Sequence, residues 1–278
     1  MNSSRSYTEG GCVLDEDLVL NEGTGLGSLV RLREFGKQVQ MIDEQVQMHD
    51  CVEASLHGRR GLLVLHRYAQ VRFYEPPLRP GPRWPYTELY SFYTPSRQAG
   101  LLTADVDGDA RLDVLAGNYW IRAPERFDLP WRLFAINTWS EEESSATLRL
   151  AALDPAAGAM AVAQGEMPIA RISIFLKPRD PTEQWKERPL TANPSPRYPH
   201  ALAAGDFNHD GRVDLFVAEN AGPGSRAFVV WSATTSTTLQ TVWSGAGLHS
   251  AFASDLNTDG KSDIVAVGVN SILALDLR

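Results

Sequence analysis

Short apolar runs bounded by Gly, Asp, Asn or Pro recur along the whole chain, and no long window carries the spacing of an amphipathic helix. Runs such as "LFVA" and "FVVW" are rich in β-branched and aromatic side chains, which predicts strands. One segment shows the order within a unit. Strands are predicted at 201–204, 214–218, 227–232 and 239–243, the first two joined by the polar loop "DFNHDGRV" and the others by turns.

That arrangement repeats. "DVDGDARLD" begins at Asp105, "DFNHDGRVD" at Asp206 and "DLNTDGKSD" at Asp255; the last two are 49 residues apart, the first two 101, about twice that. A worn copy, "LAALDPAAGAMAVAQGE", puts Asp154 midway, with its other acids gone. Two earlier copies are "CVEASLHGRRGLLVLHRY", where Ser55 replaces the first aspartate, and "GGCVLDEDLVLNEG", with a shortened loop. The apolar cores of the six copies begin near Leu18, Leu62, Val114, Val162, Leu215 and Ile264. Repeats of this period, each of four short strands, predict an all-β protein: a β-propeller of six blades of four antiparallel strands. Five or seven blades and a solenoid of sheets are the alternatives. The last copy stops at Arg278 after three strands, and residues from about Ser3 to Glu9 are expected to supply the fourth and close the ring. A chain of 278 residues with 43% hydrophobic content fits one domain, 1–278.

Each clear loop reads D-x-[DN]-x-D-x-x-x-D. Oxygens at positions 1, 3, 5 and 9, with a main-chain carbonyl at 7, can wrap a hard cation in six or seven ligands, which suits Ca²⁺ better than Mg²⁺. The candidate ligands are Asp105, Asp107, Asp109 and Asp113; Asp206, Asn208, Asp210 and Asp214; Asp255, Asn257, Asp259 and Asp263. Gly211 and Gly260 supply the sharp turn at position 6, whereas Ala110 departs from it, so the first loop is expected to bind more weakly. The competing reading is a turn whose Asp and Asn side chains only cap their own backbone.

The stretches "DVDGDARLDVLAGNYW", "DFNHDGRVDLFVAEN" and "DLNTDGKSDIVAVG" resemble FG-GAP/VCBS repeats, the propeller repeats also found in integrin α-subunits. The motif covers three of the six copies well and the others by spacing. The resemblance implies a propeller with structural Ca²⁺ between the first two strands of a blade. It leaves function open, since the family includes adhesion modules, lectins and a few enzymes such as aldos-2-ulose dehydratase, whose propeller carries out an elimination.

Charge narrows the partners. Lys plus Arg number 26 against 34 Asp plus Glu, a net charge of −8, and no basic run occurs, which argues against nucleic acid. Cys12 and Cys51 are too few for a disulfide framework and set no metal-ligand spacing; a single bridge stays open. The start "MNSSRSYTEGGCVLDED" lacks a basic region followed by an apolar one, and nowhere do eighteen apolar residues run together. A soluble, cytoplasmic protein with no membrane role is the expectation.

His49, His200 and His249 stand six residues ahead of Ser55, Asp206 and Asp255. Six residues of strand span roughly 20 Å, so these imidazoles belong at the end away from the acidic loops, where first strands are expected to converge on one mouth of the central channel. The second strands return to that end and bring Asn118 and Glu219, with His66 by a looser alignment; Tyr119 and Trp120 follow Asn118. Such a set could hold a second divalent metal, Zn²⁺, Fe²⁺ or Mn²⁺, or perform general acid/base work. Against this stands a packing role, repeated because blades repeat. The Pro- and Tyr-rich stretch 74–93 reads as a surface loop. No G-x-S-x-G, P-loop, dinucleotide fingerprint or H-E-x-x-H occurs. The functional expectation is an enzyme acting on a small molecule by lyase, isomerase or cyclase chemistry, with a non-catalytic lectin-like or protein-binding module as the alternative.

Overall fold

The computed structural model describes residues 7–15, 17–23, 26–34, 36–79, 81–93, 97–139, 148–154, 158–166, 169–192, 194–255, 259–268 and 272–277. Every regular element of length among them is a strand, and six antiparallel sheets follow one another as the blades of a six-bladed β-propeller. The chain divides into two compact units, Met1–Thr94 with Gln98–Phe134, and Pro95–Arg97 with Ala135–Arg278.

In the first unit, one blade is β1 (Tyr7–Leu14), β2 (Asp17–Glu22), β3 (Gly27–Arg33) and β4 (Gln38–Val46). The next is β5 (Met48–Leu56), β6 (Arg59–His66), β7 (Gln70–Tyr74) and β8 (Tyr86–Ser91), followed by β9 (Leu101–Ala104), β10 (Asp113–Ala116), β11 (Tyr119–Arg122) and β12 (Arg132–Ala135). The second unit begins with β13 (Leu148–Asp154), β14 (Ala159–Glu166), β15 (Ile169–Leu176) and β16 (Lys186–Pro189). Then come β17 (Pro199–Gly205), β18 (Asp214–Glu219), β19 (Ser225–Val230) and β20 (Gln240–Gly245), and finally β21 (Leu248–Ser254), β22 (Asp263–Gly268) and β23 (Ile272–Leu275).

The second strand of a blade is the apolar run seen in the sequence, and its composition follows from burial on both faces. Along β6, Leu62 and Val64 pack with Leu14, Val19 and Ile42 of the preceding blade. Leu63 and Leu65 point the other way, onto Leu101, Val114 and Ile121 of the following one. Alternation along β18 works alike: Leu215 and Val217 meet Ala161, Ile172 and Ile174, while Phe216 and Ala218 meet Leu248, Ile264 and Ala266. Fourth strands such as β16 and β20 are largely exposed, so each blade runs from a buried inner part to a solvated rim.

Backbone clips tie neighbouring rims. The Trp84 N–H donates to the Ile42 carbonyl (2.8 Å), that of Trp185 to Ile136 (2.9 Å) and that of Leu239 to Thr191 (3.0 Å). Inner strands are tied once covalently: Cys12 on β1 and Cys51 on β5 form a disulfide with their Cα atoms 5.6 Å apart.

Three local expectations change. Tyr7–Glu9 lie in β1, where Tyr7 pairs with Glu22, so they build the inner strand of the first blade rather than the outer strand of the last. β2 requires a partner along its length, and these residues provide it; Ser3–Ser6 fall outside the described residues. The last sheet has three strands among the described residues. In the worn fourth copy Asp154 pairs with Ala159, so the second strand starts three residues before Val162; residues 155–157 between them lie outside the described residues. The stretch 74–93 is no surface loop throughout, because 86–91 form β8 and the buried Trp84 anchors the turn before it.

Candidate functional site

Each acidic loop is shaped by its first aspartate. Asp105 accepts from the N–H groups of Gly108 (2.8 Å), Asp109 (3.1 Å) and Ala110 (2.9 Å). Asp206 accepts from Asp210 (3.1 Å) and Gly211 (2.9 Å), and Asp255 from Asp259 (3.1 Å) and Gly260 (2.9 Å). The first aspartate thus accepts from positions 5 and 6 in all three loops. Position 6 is left-handed in all of them, with φ of 65° at Ala110, 79° at Gly211 and 85° at Gly260. Only the alanine pays a steric penalty there.

The ninth acid is a clip between strands. Asp214 is buried and accepts from Phe207 N (3.0 Å) and Ser232 N (2.7 Å); Asp113 is buried and accepts from Val106 N (3.1 Å) and Ala123 N (2.7 Å). Burial pushes the Asp113 carboxyl up to about 6, against the pull of these N–H donors. The carboxylates of Asp105, Asp107 and Asp109 lie within 4.8 Å of one another, an oxygen-only donor set that fits a hard cation in composition. In the second loop Asp206, Asn208 and Asp210 stand at the same positions, with Asn208 and Asp210 exposed; in the third, Asp255 and Asp259 are exposed and Asn257 lies outside the described residues.

At the other end of the strands, the side chains of Glu219 and His66 accept from backbone N–H groups. Glu219 is fully buried; it accepts from Arg226 Nη2 (2.6 Å), Arg226 N (2.9 Å) and Arg197 N (2.7 Å). Arg226 in turn donates to the carbonyls of Pro194 (3.1 Å) and Ser195 (2.8 Å), so the pair fixes the segment leading into β17. His66 is buried and its Nδ1 accepts from Gln47 N (3.2 Å). Burial, with the charges of Arg72 and Arg67, holds its pKa down to about 4 despite Asp43. Asn118 is buried and its N–H donates to Gln98 Oε1 (2.8 Å), while Tyr119 stacks on Phe92 with ring centres 5.2 Å apart.

The histidines stand where the spacing puts them, near the starts of β5, β17 and β21. In the first unit His49 stacks on Tyr68 with ring centres 3.2 Å apart. In the second unit His200 and His249, on neighbouring first strands, approach edge to face with ring centres 5.9 Å apart. His200 Nδ1 lies 2.9 Å from the His249 carbonyl, and His249 Nδ1 lies 3.0 Å from Asn220 Nδ2. A carbonyl only accepts, so His200 carries its hydrogen on Nδ1 and, when neutral, its lone pair on Nε2. The Asn220 amide donates, so His249 is hydrogenated at Nε2. Both rings are half-buried.

Asn220, Arg226 and Tyr68 were missed in the sequence. Asn220 carries a retrospective signal, since it adjoins the Glu219 position already aligned; Arg226 and Tyr68 sit in hairpins whose geometry no spacing rule supplies.

Residues 206–266 match the FG-GAP-like repeat family, a span that takes in the second and third acidic loops. Among solved structures the chain is similar to the β-propeller domain of Cps50 (Swd1) from Myceliophteria thermophila, at 11% identity and TM-score 0.58 over 94% of this chain and 80% of that one. It is similar also to an arginine-to-alanine triple mutant of AofleA from Arthrobotrys oligospora, at 10% identity and TM-score 0.61 over 98% and 87%. A third likeness is to Penicillium chrysogenum α-L-arabinanase complexed with arabinobiose, at 12% identity and TM-score 0.54 over 95% and 88%. At such identities the likeness is one of fold alone. No curated protein sequence matches the chain.

Proposed function

We propose that this six-bladed β-propeller, whose residues 206–266 match the FG-GAP-like repeat family, is a calcium-stabilised enzyme that moves a proton on a small polar molecule at the His200–His249 pair. The observation that carries this reading is the complementary hydrogen bonding of the two rings at Nδ1, which gives neutral His200 a basic Nε2 and neutral His249 an Nε2–H donor. His200 Nε2 would take a proton from a carbon next to a carbonyl, and His249 Nε2–H would donate to the carbonyl oxygen as charge develops there. Elimination, isomerisation and cyclisation all begin with that step. Among the described residues no third His, Cys, Asp or Glu groups with the pair. Acid/base work is therefore preferred to a second divalent metal, which takes three or four protein ligands.

Calcium enters as a structural ion. Asp206, Asn208 and Asp210, and Asp255 with Asp259, would hold it, and bound there it would neutralise the loop charge and stiffen the first hairpin of each blade. The partner is a small molecule, with neither nucleic acid nor membrane involved. The Cys12–Cys51 bridge favours an oxidising compartment over the cytoplasm, since disulfides are reduced in the latter.

A second reading, a binding module without catalysis, is favoured by the engagement of Glu219 with Arg226 and of His66 with Gln47, which removes two of the expected acid/base groups. Incubating the protein with a panel of small hydroxy-carbonyl compounds in D₂O and following the α-protons by NMR separates the two. Exchange that falls by at least about 100-fold in His200→Gln supports proton transfer. Saturable binding without exchange supports the module, and equal exchange in the variant sinks the assignment of His200.

A further inference from the structure

The three acidic loops differ in what faces them across the hairpin. Val114 pairs with Ile121, Leu215 with Val230 and Ile264 with Leu275, so the next residues, Arg122, Trp231 and Asp276, occupy one and the same place beside the loop. The residue at that register is thus a guanidinium in the first hairpin, an indole in the second and a carboxylate in the third. Arg122 Nε lies 2.6 Å from Asp107 and its Nη2 lies 3.8 Å from Asp109, which is also bonded by Arg111. The side chains of Asp107 and Asp109 are consequently only 10% and 19% exposed. In the second loop Trp231 turns away to donate to Gln240 (2.8 Å), and Arg212, the counterpart of Arg111, is exposed.

The first blade uses the same device. Leu18 pairs with Leu32, which puts Arg33 at the place of Arg122, and Arg33 lies 3.4 Å from Asp17. Arg31 joins it, 2.7 Å from Asp15 and 2.8 Å from Asp17. Two further facts separate the first clear loop from the others: alanine stands at its position 6, and the family match at 206–266 contains the second and third loops but not this one.

We propose that Arg122 is the built-in cation of the 105–113 loop, so that this loop takes no calcium and divalent binding is confined to the two loops of the second unit. The idea rests on the reading that the 206–214 and 255–263 loops bind calcium, and its test keeps the two apart. A guanidinium in ion-pair contact supplies the positive charge that the carboxylates need, and it does so at every calcium concentration. Removing it exposes an oxygen cluster already of the right composition.

The test is Ca²⁺ titration of the full chain by calorimetry, with Tb³⁺ luminescence as a second readout. Two sites are expected in the wild type, unchanged in Asp107→Asn, and one more site in Arg122→Gln, whose melting temperature then rises with Ca²⁺ more than the wild type's does. Arg122→Lys, which keeps the charge, is expected to gain none. A site count that Arg122→Gln leaves unaltered, or one that Asp107→Asn lowers, overturns the proposal. The wild-type count judges the underlying reading separately: with no site in the wild type that reading fails, while a site gained in Arg122→Gln still upholds the clamp. If Arg122→Gln folds only when Ca²⁺ is supplied, that rescue is itself the predicted gain.

Discussion

His66 shows how a residue suited to catalysis can be put to another use. Its Nδ1 accepts from Gln47 N, so a proton there would replace an acceptor with a second donor facing the first. The folded state holds its pKa at about 4, below the ordinary 6.5, chiefly through burial. Between those values the unfolded chain binds the proton more readily, so the contribution is complete above about pH 6.5 and is lost as pH falls towards 4. The expected acid loss from this group is up to about 3 kcal/mol. Urea unfolding at pH 7 and pH 4.5 should show a smaller pH dependence in His66→Gln than in the wild type; equal dependence would mean that His66 does not titrate in this way. Neither the burial nor the Gln47 contact is visible in "LVLHRY", which is why spacing alone assigned this residue to chemistry.

At the scale of the element, the hairpin between first and second strands is the unit that varies. Where acids persist, an Asx-turned loop forms; in the second copy, where Ser55 replaces the aspartate, Leu56 pairs with Arg59 and two residues close the hairpin. Neighbouring first strands are held by packing, and in one case by the Cys12–Cys51 bridge across a sequence separation of 39. Closing a loop of that size in the unfolded chain is worth about 4 kcal/mol on the entropic account. Cys51→Ser should therefore lower the urea midpoint by nearly as much as reduction of the wild type does. A wild-type midpoint indifferent to reductant would show that the bridge contributes nothing.

Across the whole molecule, stability should depend on calcium. An ion bound only by the folded state stabilises by mass action, about 2.7 kcal/mol per site when free Ca²⁺ is 100 times the dissociation constant. A chelator in excess is expected to lower the melting temperature, and calcium to restore it; an unmoved melting temperature would argue against occupied loops. The sequence by itself determined the six-fold repeat, the strand order within a blade and the positions of the acidic loops. These are local matters: a period near fifty, short β-branched runs and Asp spacing are written in contiguous residues. Only the tertiary structure decided which acids face a cation already present, as Asp107 faces Arg122, and which polar groups at the far ends of the strands hold backbone, as Glu219 does with Arg226. It also decided that His200 and His249 meet, and which partners their Nδ1 atoms take. The physical reason is that a partner's charge, burial and hydrogen-bond direction arise from residues brought together across hairpins and between blades, and spacing along one strand carries none of them.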